Sequence, residues 1–209
     1  MSAQSLIRIL CVDDHPLLLD GLAALIGTQE DMRLVAQASS GVEAVRQFRA
    51  TLPDITLMDL QMSEMDGIDA TIAIRTEWPQ AKIIVLTTFG GDAIAQRALK
   101  AGAQAYILKG LVRAELLETI RLVHGGSKQI QPEVALSIAA HVSDAALSDR
   151  EVQVLRLVAA GNSNKQISHV LSINEETTKT HLKNILSKLH ASDRTHAVTL
   201  ALRRGIIEL

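Results

Sequence analysis

The stretch Asp54-Ile55-Thr56-Leu57-Met58-Asp59 decides how this chain is read. A short apolar strand runs straight into a carboxylate and then opens into the loop Leu60-Gln61-Met62-Ser63-Glu64-Met65-Asp66-Gly67. An open parallel sheet delivers the residues at the carboxyl ends of its strands into one crevice, so Asp59 is expected where the loops of such a sheet converge. One acid at a strand end is by itself an ordinary turn former that bonds nearby backbone. Its meaning depends on what else reaches the same edge.

Working outward, short apolar runs alternate with helical patterns on both sides of this strand. Leu6 to Val12 is apolar apart from Arg8 and ends in Asp13-Asp14-His15-Pro16, where Pro16 suits the first turn of a helix carrying Leu17, Leu18, Leu22 and Leu25. Arg33 to Ala38 reads as a second strand and Gly41 to Ala50 as a second helix. After Met58 come a helix from Ile68 to Glu77, a strand from Lys82 to Leu86 and the exit loop Thr87-Thr88-Phe89-Gly90-Gly91. A helix from Asp92 to Lys100, a strand from Ala105 to Leu108 ending at Lys109, and a helix from Arg113 to Val123 complete the series. The alternation predicts an α/β, doubly wound, five-stranded parallel sheet.

Polar groups then fall at the carboxyl ends: Asp13 and Asp14 after the first strand, Asp59 after the third, Thr87 after the fourth and Lys109 after the fifth. Three carboxylates in one crevice raise one another's pKa unless a cation sits among them. With no His or Cys cluster to favour zinc, a hard, oxygen-seeking ion such as Mg2+ fits. His15, alone at a helix start, reads as a capping or packing residue rather than a ligand. A lysine and a threonine beside a metal-bound acid supply a positive charge and a hydroxyl donor for phosphoryl oxygens. The chemistry implied is attack of a carboxylate on phosphorus, giving an acyl phosphate.

Val12-Asp13-Asp14-His15-Pro16, Met58-Asp59 with Met65-Asp66-Gly67, Leu86-Thr87 and Tyr106-Ile107-Leu108-Lys109 together resemble the motifs of the receiver domain of two-component response regulators, over residues 6 to 124. The resemblance implies Asp59 as phosphoacceptor. It makes Asp14 a direct Mg2+ ligand, Asp13 mainly a ligand through water, and the Gln61 backbone carbonyl a further ligand alongside Asp59. It makes Thr87 the donor to the phosphoryl group, Lys109 its ion partner and Tyr106 an aromatic switch. Ser63 and Gly110 stand where the family commonly has proline, and neither change removes a reacting group. By the same resemblance, Gln61 and Phe89 occupy the positions that in this family tune hydrolysis of the acyl phosphate.

Composition bounds the rest. The chain has 209 residues, with four aromatic side chains, Phe48, Trp78, Phe89 and Tyr106, too few for a stacking platform for single-stranded nucleic acid. No run approaches about 18 uninterrupted apolar residues, so a soluble, cytoplasmic protein without a membrane segment is expected. Cys11, the only cysteine, lies in an apolar strand and reads as a small core residue. Charge is uneven: residues 1–126 carry 11 basic against 15 acidic side chains, and residues 147–209 carry 9 against 6. An acidic front and a mildly basic back suggest two modules with different partners.

Gly125-Gly126-Ser127 breaks the last helix of the front module, and Pro132 restarts a short helical pattern through Val134, Leu136, Ile138 and Val142. Residues 126–146 therefore read as a linker with one helix, between a domain at 1–125 and another at 147–209. The back module reads as four helices in an all-α domain. Ser148-Asp149-Arg150-Glu151 and Ser163-Asn164-Lys165-Gln166 are capping-box patterns that open two of them. Glu175 to Leu189 is amphipathic, with Thr178, Leu182, Ile185 and Leu189 inward and Lys179, Lys183 and Lys188 elsewhere. Asp193 or Ser192 caps a last helix closed by Gly205. Two helices joined by a short turn, the second with a basic outer face, form a helix-turn-helix.

Leu147-Ser148 with Arg150-Glu151, Gly161 with Ser163-Asn164-Lys165, and Thr177, Lys179, His181, Asn184-Ile185 and Lys188-Leu189 resemble the LuxR-type output domain, and the whole chain resembles the NarL/FixJ subfamily. By that resemblance Lys179, Thr180 and Lys183 meet base edges, while Asn164, Lys165, Thr177 and His181 touch phosphates. The final helix, Arg194 to Arg204, is the expected dimer contact. The partners implied are a cognate histidine kinase, double-stranded promoter DNA, a second copy on DNA and RNA polymerase, with no membrane. The function implied is a transcription factor, not an enzyme, switched by phosphoryl transfer to Asp59. Two rival readings stay open at this point: a Mg2+-dependent phosphatase, disfavoured because Gln61 stands where such enzymes carry a second Asp, and a receiver that no longer takes phosphate.

Overall fold

The structure, a computed structural model, describes residues 6–88, 91–109, 113–141 and 144–207, and only the backbone of 113 and 114. Phe89, Gly90, Gly110 and Val142, expected in loops and linker, lie outside the described residues. The chain divides into two compact units, one formed by Met1–Phe89 and Ala95–Ala135, the other by Gly90–Ile94 and Leu136–Leu209. No described helix is long and apolar enough to cross a membrane.

In chain order the first elements are β1 (Ile7–Val12), α1 (Pro16–Gly27), β2 (Met32–Ala38), α2 (Gly41–Thr51), β3 (Ile55–Met58) and α3 (Gly67–Glu77). β4 (Ile83–Thr87), α4 (Asp92–Ala101), β5 (Ala105–Leu108), α5 (Arg113–His124), β6 (Gln129–Ile130) and α6 (Pro132–Ala140) follow. All strand pairs are parallel and the sheet order is β2-β1-β3-β4-β5-β6. The chain therefore reverses its direction of travel between β1 and β3, and the crevice of such a sheet opens there. The strands hand their ends directly to the acids: Asp13 N–H donates to Ala38 O at 3.0 Å and Asp59 N–H to Val12 O at 2.9 Å.

A parallel sheet must bury both faces, and alternation along the strands divides its side chains between two cores. Ile7, Ile9 and Cys11 of β1, with Ile55, Leu57, Ile84 and Ile107, pack against Leu22 and Ile26 of α1 and Leu117, Ile120 and Val123 of α5. Leu10, Val12, Met58 and Ile83 face Ala44 and Phe48 of α2 and Ala70 and Ile74 of α3. Each fully buried aliphatic side chain contributes about 1.5–3 kcal/mol, so these two clusters hold the crevice walls rigid. Trp78 closes the second core against Phe48, ring centroids 4.9 Å apart. Burial, reinforced by Asp13, pushes the Cys11 thiol up to about 12, which keeps it an inert core group.

The expected five strands are joined by a sixth. Gln129 and Ile130, read from sequence as linker, pair with Ala105 and Tyr106. Gly126, at φ +95°, turns the chain after α5, and Gln129 N–H then donates to Gln104 O at 2.9 Å. Gln131 continues the edge with its side chain: Oε1 accepts from Leu108 N–H at 3.2 Å and Nε2 donates to Glu115 at 3.0 Å.

The second unit contains α7 (Asp149–Ala159), α8 (Asn164–Val170), α9 (Glu175–Lys188) and α10 (Arg194–Arg204). Both capping boxes form, Ser148 with Glu151 and Ser163 with Gln166, while Asn174 caps α9 and Asp193 caps α10. Val154, Leu155, Val158, Ile167, Ile185, Leu189, Ala197 and Ala201 make its core.

Candidate functional site

Two groups of residues stand out. At the carboxyl edge of the sheet, Lys109 lies between two buried carboxylates, its Nζ 2.6 Å from Asp13 Oδ2 and 2.9 Å from Asp59 Oδ2. Asp13 and Asp59 are almost wholly buried, whereas Asp14 is about one-third exposed, at 32% of its side chain. Asp59 Oδ1 accepts the Leu60 N–H at 2.8 Å. Burial pushes the Asp59 carboxyl above its ordinary range, with Asp13 adding to the push, against the opposing pull of Lys109 and Leu60. Burial alone would lower Lys109, but the two carboxylates outweigh it and hold the ammonium above its ordinary value.

Asp13, Asp14, His15 and Asp59 offer ligand atoms that all lie within 4.8 Å of one another. Oxygen donors dominate this set, as a hard divalent cation requires. His15 is more than the expected cap or packing group. It occupies the N-cap position of α1 without a side-chain cap, and its Nδ1 sits 2.7 Å from Asp14 Oδ1 and 3.1 Å from Asp13 Oδ1. Its adjacency to two acids in sequence was the available signal.

Local packing explains the loop after Asp59. Asp66 caps α3 by accepting Asp69 N–H at 2.8 Å, and Gly67 N–H donates to Leu60 O at 3.0 Å. A Cβ on Gly67 would collide with the carbonyl oxygen of Asp59, so the helix can start this close to the acid only from glycine. Gly41 likewise leaves room for Met65, whose carbonyl would lie 2.5 Å from a Cβ there. Gln61 is half-buried in this loop. Thr87 ends β4, fully buried, and its carbonyl accepts Lys109 N–H at 2.7 Å. Tyr106 lies opposite Val85 in β5, wholly buried, and burial pushes its phenol up.

In the second unit, α9 has Thr178 and Ile185 buried, with Lys179, Thr180 and Lys183 on its exposed side. Lys165 is exposed, and Asn164, Thr177 and His181 are half-buried. Thr177 Oγ1 donates to Asn174 Oδ1 at 2.7 Å, and Asn164 Oδ1 is buried without a hydrogen-bond partner among the described residues. Lys179 pairs with Glu176 at 2.7 Å. Lys188, placed by periodicity off the inward stripe, turns back instead: its Nζ meets the nearly buried Glu151 at 2.7 Å and Ala146 O at 3.1 Å. Two arginines of the second unit secure loops, Arg150 on Leu171 O at 2.6 Å and Arg194 on Asn162 O at 2.8 Å.

Comparison with known proteins agrees with this geometry. Residues 9–121 match the response regulator receiver domain, and residues 145–201 match the luxR family of bacterial regulatory proteins. The response regulator protein VraR of Staphylococcus aureus is 38% identical over 207 residues, covering 97% of this chain and 99% of the relative. Among solved structures, the response regulator ChrA of a heme-sensing two-component system is 34% identical, with TM-score 0.58, covering 97% of this chain and all of the other. The RcsB response regulator in complex with DNA shares the fold at TM-score 0.70 and 22% identity, covering 95% of this chain and 99% of the other. The chain belongs to the two-component response regulators of the NarL/FixJ family, a receiver domain followed by a LuxR-type helix-turn-helix domain.

Proposed function

We propose that this chain is a transcription regulator whose receiver takes a phosphoryl group from a histidine kinase onto Asp59 and whose helix-turn-helix then binds promoter DNA as a dimer. We assign residues 1–125 to the receiver, 126–146 to a linker whose first residues add β6 to the receiver sheet, and 147–209 to the DNA-binding domain. The observation that carries the reading is the triangle of Asp13, Lys109 and Asp59 at 2.6 and 2.9 Å. A carboxylate held by burial, a backbone donor and an ammonium is positioned as a nucleophile yet not fully neutralised.

Asp13, Asp14 and Asp59, with the Gln61 carbonyl, would hold Mg2+, which when bound neutralises charge on the incoming phosphoryl oxygens. An Asp59 oxygen attacks phosphorus, the bond from phosphorus to the kinase imidazole nitrogen breaks, and the imidazole leaves with its electron pair. Lys109 then exchanges its grip on Asp59 for a phosphoryl oxygen, and the Thr87 hydroxyl donates to another. Tyr106 repacks as Thr87 is drawn toward the phosphoryl group. The phosphoryl group must favour one arrangement of the receiver over the other by its differential contacts.

On DNA, Lys179, Thr180 and Lys183 read base edges, and Asn164, Lys165, Thr177 and His181 meet phosphates, fixing register. The α10 helix supplies the dimer contact, matching inverted half-sites. RNA polymerase is the further partner through which transcription changes. Gel-shift titrations with and without acetyl phosphate and Mg2+, on wild type and Asp59→Asn, test the switch. Phosphate-dependent tightening in wild type alone is expected; equal affinity in all four overturns it.

A further inference from the structure

The outer face of α9 is not uniformly basic. Residues 176, 179, 180 and 183 stand at i, i+3, i+4 and i+7 and so share one face of the helix, and the side chain at 176 is a glutamate, 80% exposed. Its carboxylate holds Lys179 at 2.7 Å, with Glu175 a second acid 3.9 Å from the same ammonium. The Glu176 carbonyl also accepts the Thr180 hydroxyl at 3.0 Å. Buried Thr178 and Ile185 fix the opposite face in the core, so the helix cannot rotate Glu176 away from whatever Lys179 and Lys183 approach.

Bringing a carboxylate into a groove lined by phosphates is unfavourable unless it meets a hydrogen-bond donor. In the major groove of B-DNA a donor that suits a carboxylate is the cytosine N4 amino group, and a lysine suits the O6 and N7 acceptors of guanine. An acid and a lysine joined on one face therefore form a composite reader. We propose that Glu176 is a specificity-determining residue of this regulator, accepting from a cytosine N4 amino group while it aims Lys179 at a neighbouring guanine. The same carboxylate weakens binding wherever no amino donor faces it, which suppresses attachment to arbitrary duplex. The inference rests on the DNA-binding reading above and adds to it the base chemistry that α9 selects.

The test uses the full-length chain with acetyl phosphate and Mg2+. Duplexes selected from a randomised pool define the preferred half-site for wild type, E176A and E176Q, and competition titrations then measure each base preference. Circular dichroism melts confirm that the variants fold. Wild type is expected to prefer cytosine at one position of each half-site by roughly tenfold or more. E176A should flatten that preference and bind random-sequence duplex more tightly. E176Q should move the preference toward adenine, which a glutamine amide pairs with at N6 and N7. Unchanged base preference in both variants, with wild type still selective, overturns the role of Glu176 alone. Failure of wild type to bind any duplex overturns the DNA-binding reading with it.

Discussion

At the scale of single residues, Asp59 and Gly67 carry the sharpest expectations. The folded pKa of Asp59 lies above its unfolded value, chiefly through burial. Such a group stabilises the fold fully only below the ordinary carboxylate range, and that contribution is lost as pH rises through the folded value. At neutral pH its charge is therefore a burden on the receiver. Asp59→Asn keeps the shape and an acceptor for Leu60 N–H, and should melt about 2–4 °C higher than wild type at pH 7. The gap should close as pH falls into the carboxylate range, and thermal melts across pH check it. A lower melting point at pH 7 would mean that attraction to Lys109 outweighs burial. Gly67→Ala places a methyl against Asp59 backbone, which cannot yield as a flexible side chain can. About 1–3 kcal/mol of stability should be lost, together with phosphoryl uptake from acetyl phosphate. Denaturant titration and an intact-mass assay read the two effects. The acids, Thr87 and Lys109 were legible in sequence because strand ends announce themselves by where apolar runs stop. The ring of His15 lying against both acids was not, since a helix-start residue has several rotamers and spacing does not choose among them.

At the scale of elements, the brace between α7 and α9 decides how the proposed DNA-reading helix, α9, is held. Burial alone would raise Glu151, but the Lys188 ammonium and the Ser148 donors outweigh it and hold the carboxyl below the ordinary glutamate range. A depressed acid adds stability above its unfolded value and loses it as pH falls through the folded one. Lys188→Met should therefore cost about 2–3 kcal/mol at pH 7, less than the roughly 3–5 kcal/mol of a fully buried pair because Lys188 keeps partial solvent contact. Urea melts of wild type and variant should converge as pH drops below about 4. A constant difference at every pH would assign the loss to packing of the lysine stem instead. Sequence periodicity put Lys188 off the inward stripe, since 3.6-residue spacing locates the Cα and says nothing of a four-carbon stem that folds back. The capping boxes were legible because their chemistry is local. Strand β6 was not: two residues show no alternation, and its partner lies more than twenty residues earlier.

At the scale of the whole molecule, the two modules could be separated in sequence because each carries its own motif set, and the charge imbalance alone would have been too small to do it. That same modest charge sets how DNA binding must respond to salt. The chain is net −2, and its basic excess lies in residues 147–209. Among the side chains assigned to phosphates only Lys165 is a permanent cation, while Lys179 is already paired with Glu176. Each neutralised phosphate contributes about −0.9 to the slope of log K against log salt. Counting one or two such contacts in each half of a dimer, the slope should fall between about −2 and −4. Fluorescence anisotropy of the phosphorylated chain on its selected duplex, across a salt series, measures this directly. Lys165→Gln should make the slope shallower by about 2, one contact from each protomer, while leaving base preference intact. A slope steeper than about −6 would require further cations, such as Arg203 in the last turn of α10, to reach the duplex, and would move the docked face away from the one centred on α9.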